Sequence, residues 1–171
     1  LLVADELNPL RPVEQALQTA HGIASIPRTL LDDLTDRLYE LAPAVGSYDG
    51  THLVHGDLTF ENVIWDRTRI TALIDFEWSR GAPASLDLDV LLRMCAFPWL
   101  HVADRFGDRS TPEAYAEVPM WFARAYPEPF NDSRLLDRLE LYSLAFDLHE
   151  LVRFPPRAAD DELPPFHAVH R

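Results

Sequence analysis

The sequence predicts an α+β fold dominated by helices: one α-rich lobe, residues 1–171, in which a small β-hairpin carries a polar loop and sits on a helical core. Three observations predict it. Apolar residues recur at helical spacing from Leu30 to Leu41 and again from Leu135 to Val152. Two short β-rich runs, Val63–Trp65 and Ile70–Ile74, flank the turn Asp66-Arg67-Thr68-Arg69. With 47% apolar and 25% charged residues the composition is that of a globular chain, and 171 residues suffice for one packed domain.

Pro12 to Thr19 reads as a short helix. The stretch from Pro27 places apolar side chains at 30, 31, 34, 38 and 41, the period of an amphipathic helix against a core. Tyr48-Asp49-Gly50 is a turn, and Leu53-Val54-His55 leads into the polar loop. The hairpin that follows is expected to present Asn62 near Asp75, and Pro83 closes the β region. From Leu86 the pattern is helical: Leu88, Val90, Leu91, Leu92, Met94 and Cys95 make a strongly apolar helix ending near Pro98, with Met94 and Cys95 read as core. Thr111-Pro112-Glu113 has the form of an N-cap with proline at the first helical position, and a further helix covers Met120 to Ala125. Asn131-Asp132-Ser133 starts the longest helix, whose buried side is assigned to Leu135, Leu136, Leu139, Tyr142, Ala145, Phe146, Leu148 and Val152, and Pro155-Pro156 stops it. The tail from Asp160 to Pro165 is expected to pack loosely, and His167 and His170 lack companion cysteines for a zinc site.

The chemistry concentrates in His55-Gly56-Asp57-Leu58-Thr59-Phe60-Glu61-Asn62 and in Leu73-Ile74-Asp75-Phe76-Glu77. Asp57 and Asn62 stand five positions apart, as do the Asp and Asn of a protein-kinase catalytic loop, and Asp75 enters from a following apolar strand as the kinase metal-binding Asp does. Phosphoryl transfer asks little covalent help of a protein. It needs an acceptor hydroxyl held in line and charge neutralised on phosphate oxygens. A carboxylate at Asp57 suits the hydroxyl proton, while Asn62 and Asp75 offer one neutral and one anionic oxygen, hard ligands matched to Mg2+.

These two motifs, with Gly81-Ala82-Pro83-Ala84-Ser85-Leu86-Asp87-Leu88, resemble the C-terminal lobe of the aminoglycoside phosphotransferase and choline kinase family, over about residues 51 to 93. The resemblance implies a protein-kinase-like fold. It implies that Asp57 is the catalytic base, that Asn62 and Asp75 bind magnesium, and that Asp87 is a structural carboxylate steadying the loop. By the same resemblance His55 is a packed, hydrogen-bonded scaffold residue rather than a proton shuttle. Asp87 falls one residue later after Gly81 than the commonest family spacing. Glu77 reads equally as a partner steadying a metal-bound group and as a solvated strand-end charge. Gly56 replaces the arginine with which regulated protein kinases sense a phosphorylated loop, and Asp75-Phe76-Glu77 lacks the third-position glycine of Asp-Phe-Gly; both departures favour a small-molecule kinase.

All fifteen basic residues are arginine, so the strand lysine that grips the α- and β-phosphates in a kinase N-terminal lobe is absent from this sequence. The six glycines are too dispersed for a phosphate-cradling loop. The expectation is therefore a catalytic and acceptor-binding lobe, residues 1–171, whose nucleotide-binding N-terminal lobe lies outside the chain. Leu1-Leu2-Val3 reads either as a strand end leaving an interlobe hinge or as a frayed terminus. Surface uncovered between lobes would favour self-association.

Two function classes follow. One is an ATP-dependent phosphotransferase, using ATP or another nucleoside triphosphate with Mg2+, that acts on a hydroxyl of a small molecule such as an aminoglycoside. The other is a catalytically inactive remnant or binding module that kept the fold. An intact Asp57, Asn62 and Asp75 set favours the first. The net charge of −13 argues against nucleic acid and would suit a cationic acceptor, with Asp104, Asp108, Asp147 and Glu150 as candidate ammonium contacts against a background of ordinary solvated carboxylates. No apolar run reaches the ~20 residues of a membrane span, and the single Cys95 with no visible signal peptide makes a cytoplasmic location the expectation.

Overall fold

The computed structural model describes residues 10–45, 52–102 and 104–155. The interlobe reading of Leu1–Val3, the turn at Tyr48–Gly50, Pro156, and the tail with His167 and His170 lie outside the described residues. The described residues are mostly helical with two small antiparallel sheets, and the chain divides into two units, Leu1–Ser47 with Leu136–Arg171, and Tyr48–Leu135.

In the first unit α1 (Arg11–His21) carries Pro12 in its first turn, where the first amides have no intrahelical acceptor, and buries Val13, Leu17 and Ala20. Pro27 precedes α2 (Arg28–Leu41), which buries Leu31, Leu38 and Leu41. The long α6 (Leu135–Arg153) buries Leu141, Tyr142, Ala145, Leu148 and Leu151 and ends two residues before Pro155. Leu136, expected on the buried side, is 78% exposed. One turn on from it stands Glu140, so Leu136 shares a face with a solvated carboxylate rather than with the Leu141–Leu148 stripe. Glu140 accepts from Arg37 Nε and Nη2 at 2.5 and 2.6 Å, and Glu40 accepts from Arg37 Nη1 at 2.7 Å. These bonds hold the Glu140 carboxyl below its usual range, in a solvated setting that screens the attraction.

The second unit contains both sheets. β1 (Leu53–Val54) pairs antiparallel with β4 (Arg80–Gly81), and β2 (Val63–Trp65) with β3 (Ile70–Leu73). The β2–β3 turn is held by Asp66, whose Oδ1 accepts from the Thr68 and Arg69 amides and the Thr68 hydroxyl, with Arg67 left-handed at φ 79°. The β1–β4 pair has no counterpart in the sequence reading, since two-residue strands leave no periodic signal. The hairpin was expected to sit on the helical core. Instead Ile64, Trp65, Ile70 and Leu73 are all exposed, because apolar residues stand at consecutive positions and commit neither face.

After the sheets, α3 (Ser85–Ala96) buries Leu86, Leu88, Leu91, Met94 and Cys95. The short α4 (Pro112–Tyr115) and then α5 (Val118–Ala125) follow. Leu91, Met94, Cys95 and Val118 make a buried cluster flanked by Tyr115 and Phe122, and burial pushes the Cys95 thiol up. Among the described residues no helix is long and apolar enough to cross a membrane.

Candidate active site

The polar loop is built onto β1 and α3. Val54 is 1% exposed and His55 5%, so the chain enters the loop from the interior. Asp87, in the first turn of α3, accepts from the His55 amide through Oδ2 and from the Gly56 amide through Oδ1, both at 2.8 Å. Two charge-assisted bonds from one carboxylate fix the two residues that precede Asp57. Phe60 N–H is directed at Met94 Sδ at 3.3 Å, a second tie to α3.

His55 Nε2 lies 2.8 Å from the Ile74 carbonyl, which can only accept, so Nε2 carries the proton; the ring packs on Phe76 at 4.7 Å. Gly56 has φ 81°, and a side chain there would overlap the Trp78 carbonyl, so this position requires glycine.

Asp57 and Asn62 are brought together by a turn. Thr59 N–H donates to the Asp57 carbonyl at 2.9 Å, and a single 3₁₀ turn, Phe60–Asn62, returns the chain. Asn62 Nδ2 then donates to both Asp57 O at 2.8 Å and Asp57 Oδ2 at 3.0 Å. With its nitrogen so engaged, Asn62 turns its amide oxygen away from Asp57. Ile74 N–H donates to the Asn62 carbonyl at 3.0 Å, one rung beyond the β2–β3 ladder, which ties Asn62 directly to the residue before Asp75. Asp75 is exposed and left-handed, φ 65° and ψ 60°, a conformation that Asp tolerates better than most residues. Glu77 is exposed in the 3₁₀ turn Phe76–Trp78 that follows.

His101 went unnoticed in the sequence. It closes the 3₁₀ turn Pro98–His101; burial lowers its pKa, Glu61 and Asp57 pull it back up, and Arg93 pushes it down. Its ring is thus within electrostatic reach of Glu61 and Asp57, yet nothing in Trp99-Leu100-His101 marks it. Arg93 itself pairs with the buried Asp89 at 2.7 Å across one turn of α3.

A cavity of about 330 Å³ is lined by Val54, Leu58, Asp87, Phe122 and Tyr126 among others, so it touches both the loop and its carboxylate clamp. Of the candidate ammonium contacts, Asp104 opens the 3₁₀ segment Asp104–Arg109 and Asp108 is exposed. Asp147 is half-buried, and Glu150 is buried with His149 Nδ1 at 3.3 Å. The two pairs belong to different units.

Among the described residues no group of three or more His, Cys, Asp or Glu could hold a metal ion by itself. The Asn62 amide oxygen and the Asp75 carboxylate nevertheless fit Mg2+, which takes one or two protein oxygens and completes its shell with water and phosphate.

Residues 3–121 match the phosphotransferase enzyme family. No curated protein and no solved structure matches the chain.

Proposed function

The chain belongs to the phosphotransferase enzyme family, and from that membership we propose that it is the catalytic and acceptor-binding lobe, residues 1–171, of a small-molecule kinase that moves the γ-phosphate of ATP to a hydroxyl. The observation that carries the reading is the Asn62 junction: its side chain holds Asp57 and its carbonyl holds Ile74, next to Asp75. In this reading Asp57 orients the acceptor hydroxyl and receives its proton. Asn62 restrains the Asp57 carboxylate, and Asp87 restrains the loop behind it. Asn62 and Asp75 would hold Mg2+, which would neutralise charge on the phosphate oxygens.

The acceptor we favour is an aminoglycoside or a related hydroxylated antibiotic or metabolite, with Asp104 and Asp108, which share a unit with the Asp57 loop, as ammonium contacts; a cytoplasmic location is part of the same reading. The net charge of −13 supports a cation. A titration of an aminoglycoside and of a neutral macrolide at low and high salt tests this. Salt-sensitive aminoglycoside binding is expected, because exposed charges are screened beyond about 8 Å at physiological ionic strength. Salt-insensitive binding of the macrolide alone would reject the cation.

The absence of lysine supports a separate nucleotide-binding lobe, and the exposed Ile64, Trp65, Ile70 and Leu73 offer it an apolar seat. Without that lobe, two copies of the chain would cover the same surface, which light scattering across a concentration series reads. The 171-residue chain alone is expected to show little turnover; a purified sample transferring phosphate near the ~10 per second enzyme median would overturn the need for the lobe. The same lack of lysine favours a second reading, an inactive binding module. It would be upheld if the two-lobed protein bound an acceptor without phosphorylating it.

A further inference from the structure

We propose that Arg80 is a positioning residue: its guanidinium fastens the segment after Asp75 against the loop that carries Asp57. The catalytic consequence rests on the phosphotransferase reading above, whereas the anchoring itself does not.

Asp57 and Asp75 come from separate stretches of chain, and phosphoryl transfer between bound groups requires both to be held to within about 0.5 Å. Apolar burial gives the second stretch little help, since Ile74, Phe76 and Trp78 are 42%, 49% and 54% exposed. Beside the packing of His55 on Phe76, polar bonds restrain it. On the upstream side stand the Ile74–Asn62 rung and the His55–Ile74 bond. On the downstream side Arg80 Nη1 donates to the Trp78 carbonyl at 2.7 Å.

That carbonyl is the one pressed against Gly56. A Cβ at Gly56 would overlap Trp78 O and lie 2.9 Å from Arg80 Nη1, so the glycine backbone, the carbonyl and the guanidinium meet at one point. Arg80 is well placed to hold it there because its own main chain is paired with Val54, across the β1–β4 ladder that leads into His55. The side chain therefore reaches back two residues from a strand fixed to the catalytic loop and restrains the carbonyl that the loop abuts. A carbonyl oxygen facing a loop that carries a carboxylate is electrostatically adverse, and a guanidinium is the side chain that offsets it most strongly. Gly56 makes the room, and Arg80 supplies the cation beside it.

Amide exchange of the chain as it stands tests the anchoring without requiring activity. Ser79 N–H, bonded to Phe76 O at 3.0 Å, reports on the segment, and Phe97 N–H, bonded to Arg93 O at 2.9 Å, reports on α3. Arg80→Met is expected to speed Ser79 exchange about tenfold and to leave Phe97 unchanged, with Arg80→Lys returning most of the protection. Should Arg80→Met fail to fold, Arg80→Gln, a neutral donor, serves in its place. Joined to a nucleotide-binding lobe, the Met or Gln variant should lose about tenfold in kcat with acceptor KM within twofold, and Lys should recover most of it. Unchanged Ser79 exchange, or a lysine variant as unprotected as the methionine one, would overturn the anchoring. Faster exchange with unaltered kcat would overturn the positioning role. A two-lobed protein that phosphorylates nothing would fail the phosphotransferase reading, while Ser79 exchange would still decide the anchoring.

Discussion

Asn62 donates the same amide nitrogen to the carbonyl and to the carboxylate of Asp57, at 2.8 and 3.0 Å. The residue five positions downstream thus fixes both where Asp57 sits and which way its side chain faces. Asp57→Asn is expected to abolish transfer in the two-lobed enzyme with nucleotide binding nearly unchanged. Asp75→Asn, which keeps a residue type tolerant of the left-handed backbone, should weaken Mg-nucleotide binding as well as turnover. Calorimetry with Mg-ATP and steady-state assays on both variants decide it; equal effects on binding would sink the assignment.

Asp87→Asn tests the clamp. An amide offers one acceptor where the carboxylate offers two, so one of the His55 and Gly56 N–H groups faces another donor. A loss of about 1–3 kcal/mol in urea unfolding is expected, with faster amide exchange at His55 and Gly56. Unfolding at wild-type denaturant concentration would show that the two bonds are dispensable.

His101 gives a pH signature. Its folded pKa lies below the ordinary 6.5, so between the folded value and 6.5 the unfolded chain binds more protons than the folded one. Its contribution is therefore complete above pH 6.5 and is lost as pH falls through that window. Urea titrations from pH 8 to 5 on the wild type and His101→Gln measure it. The difference between the two proteins should change below pH 6.5 and be flat above it.

Two leucines of α6 make a stability contrast. Leu141 is fully buried and Leu136 is 78% exposed. Leu141→Ala should cost about 2–5 kcal/mol, and Leu136→Ala less than about 0.5 kcal/mol. Similar losses at both positions would mean that Leu136 is covered in solution.

The sequence made the Asp57–Asn62 pairing legible because a single tight turn sets it, and local turns write themselves as fixed spacings. The hairpin was legible for the same reason, through the Asp66 turn. Asp87 could be attached to the loop only through the family resemblance, since a carboxylate more than thirty residues downstream carries no mark of its backbone partners. His101 had no signal, because the electrostatic influence of Asp57 and Glu61 on it depends on tertiary placement more than thirty residues away in sequence. Leu136 was misjudged because α6 is apolar on more than one face, so periodicity overstates its buried stripe.

The exposed β2–β3 ribbon has a thermodynamic consequence. A two-stranded ribbon with little packing is marginal by itself, and it should open well below the global unfolding free energy of the helical remainder. Asp75 rides at its end, so any nucleotide that needs Asp75 meets only the closed fraction of molecules. Apparent affinity is then the intrinsic affinity scaled by that fraction, and whatever closes the ribbon, from a neighbouring domain to a better turn, tightens nucleotide binding without touching the nucleotide.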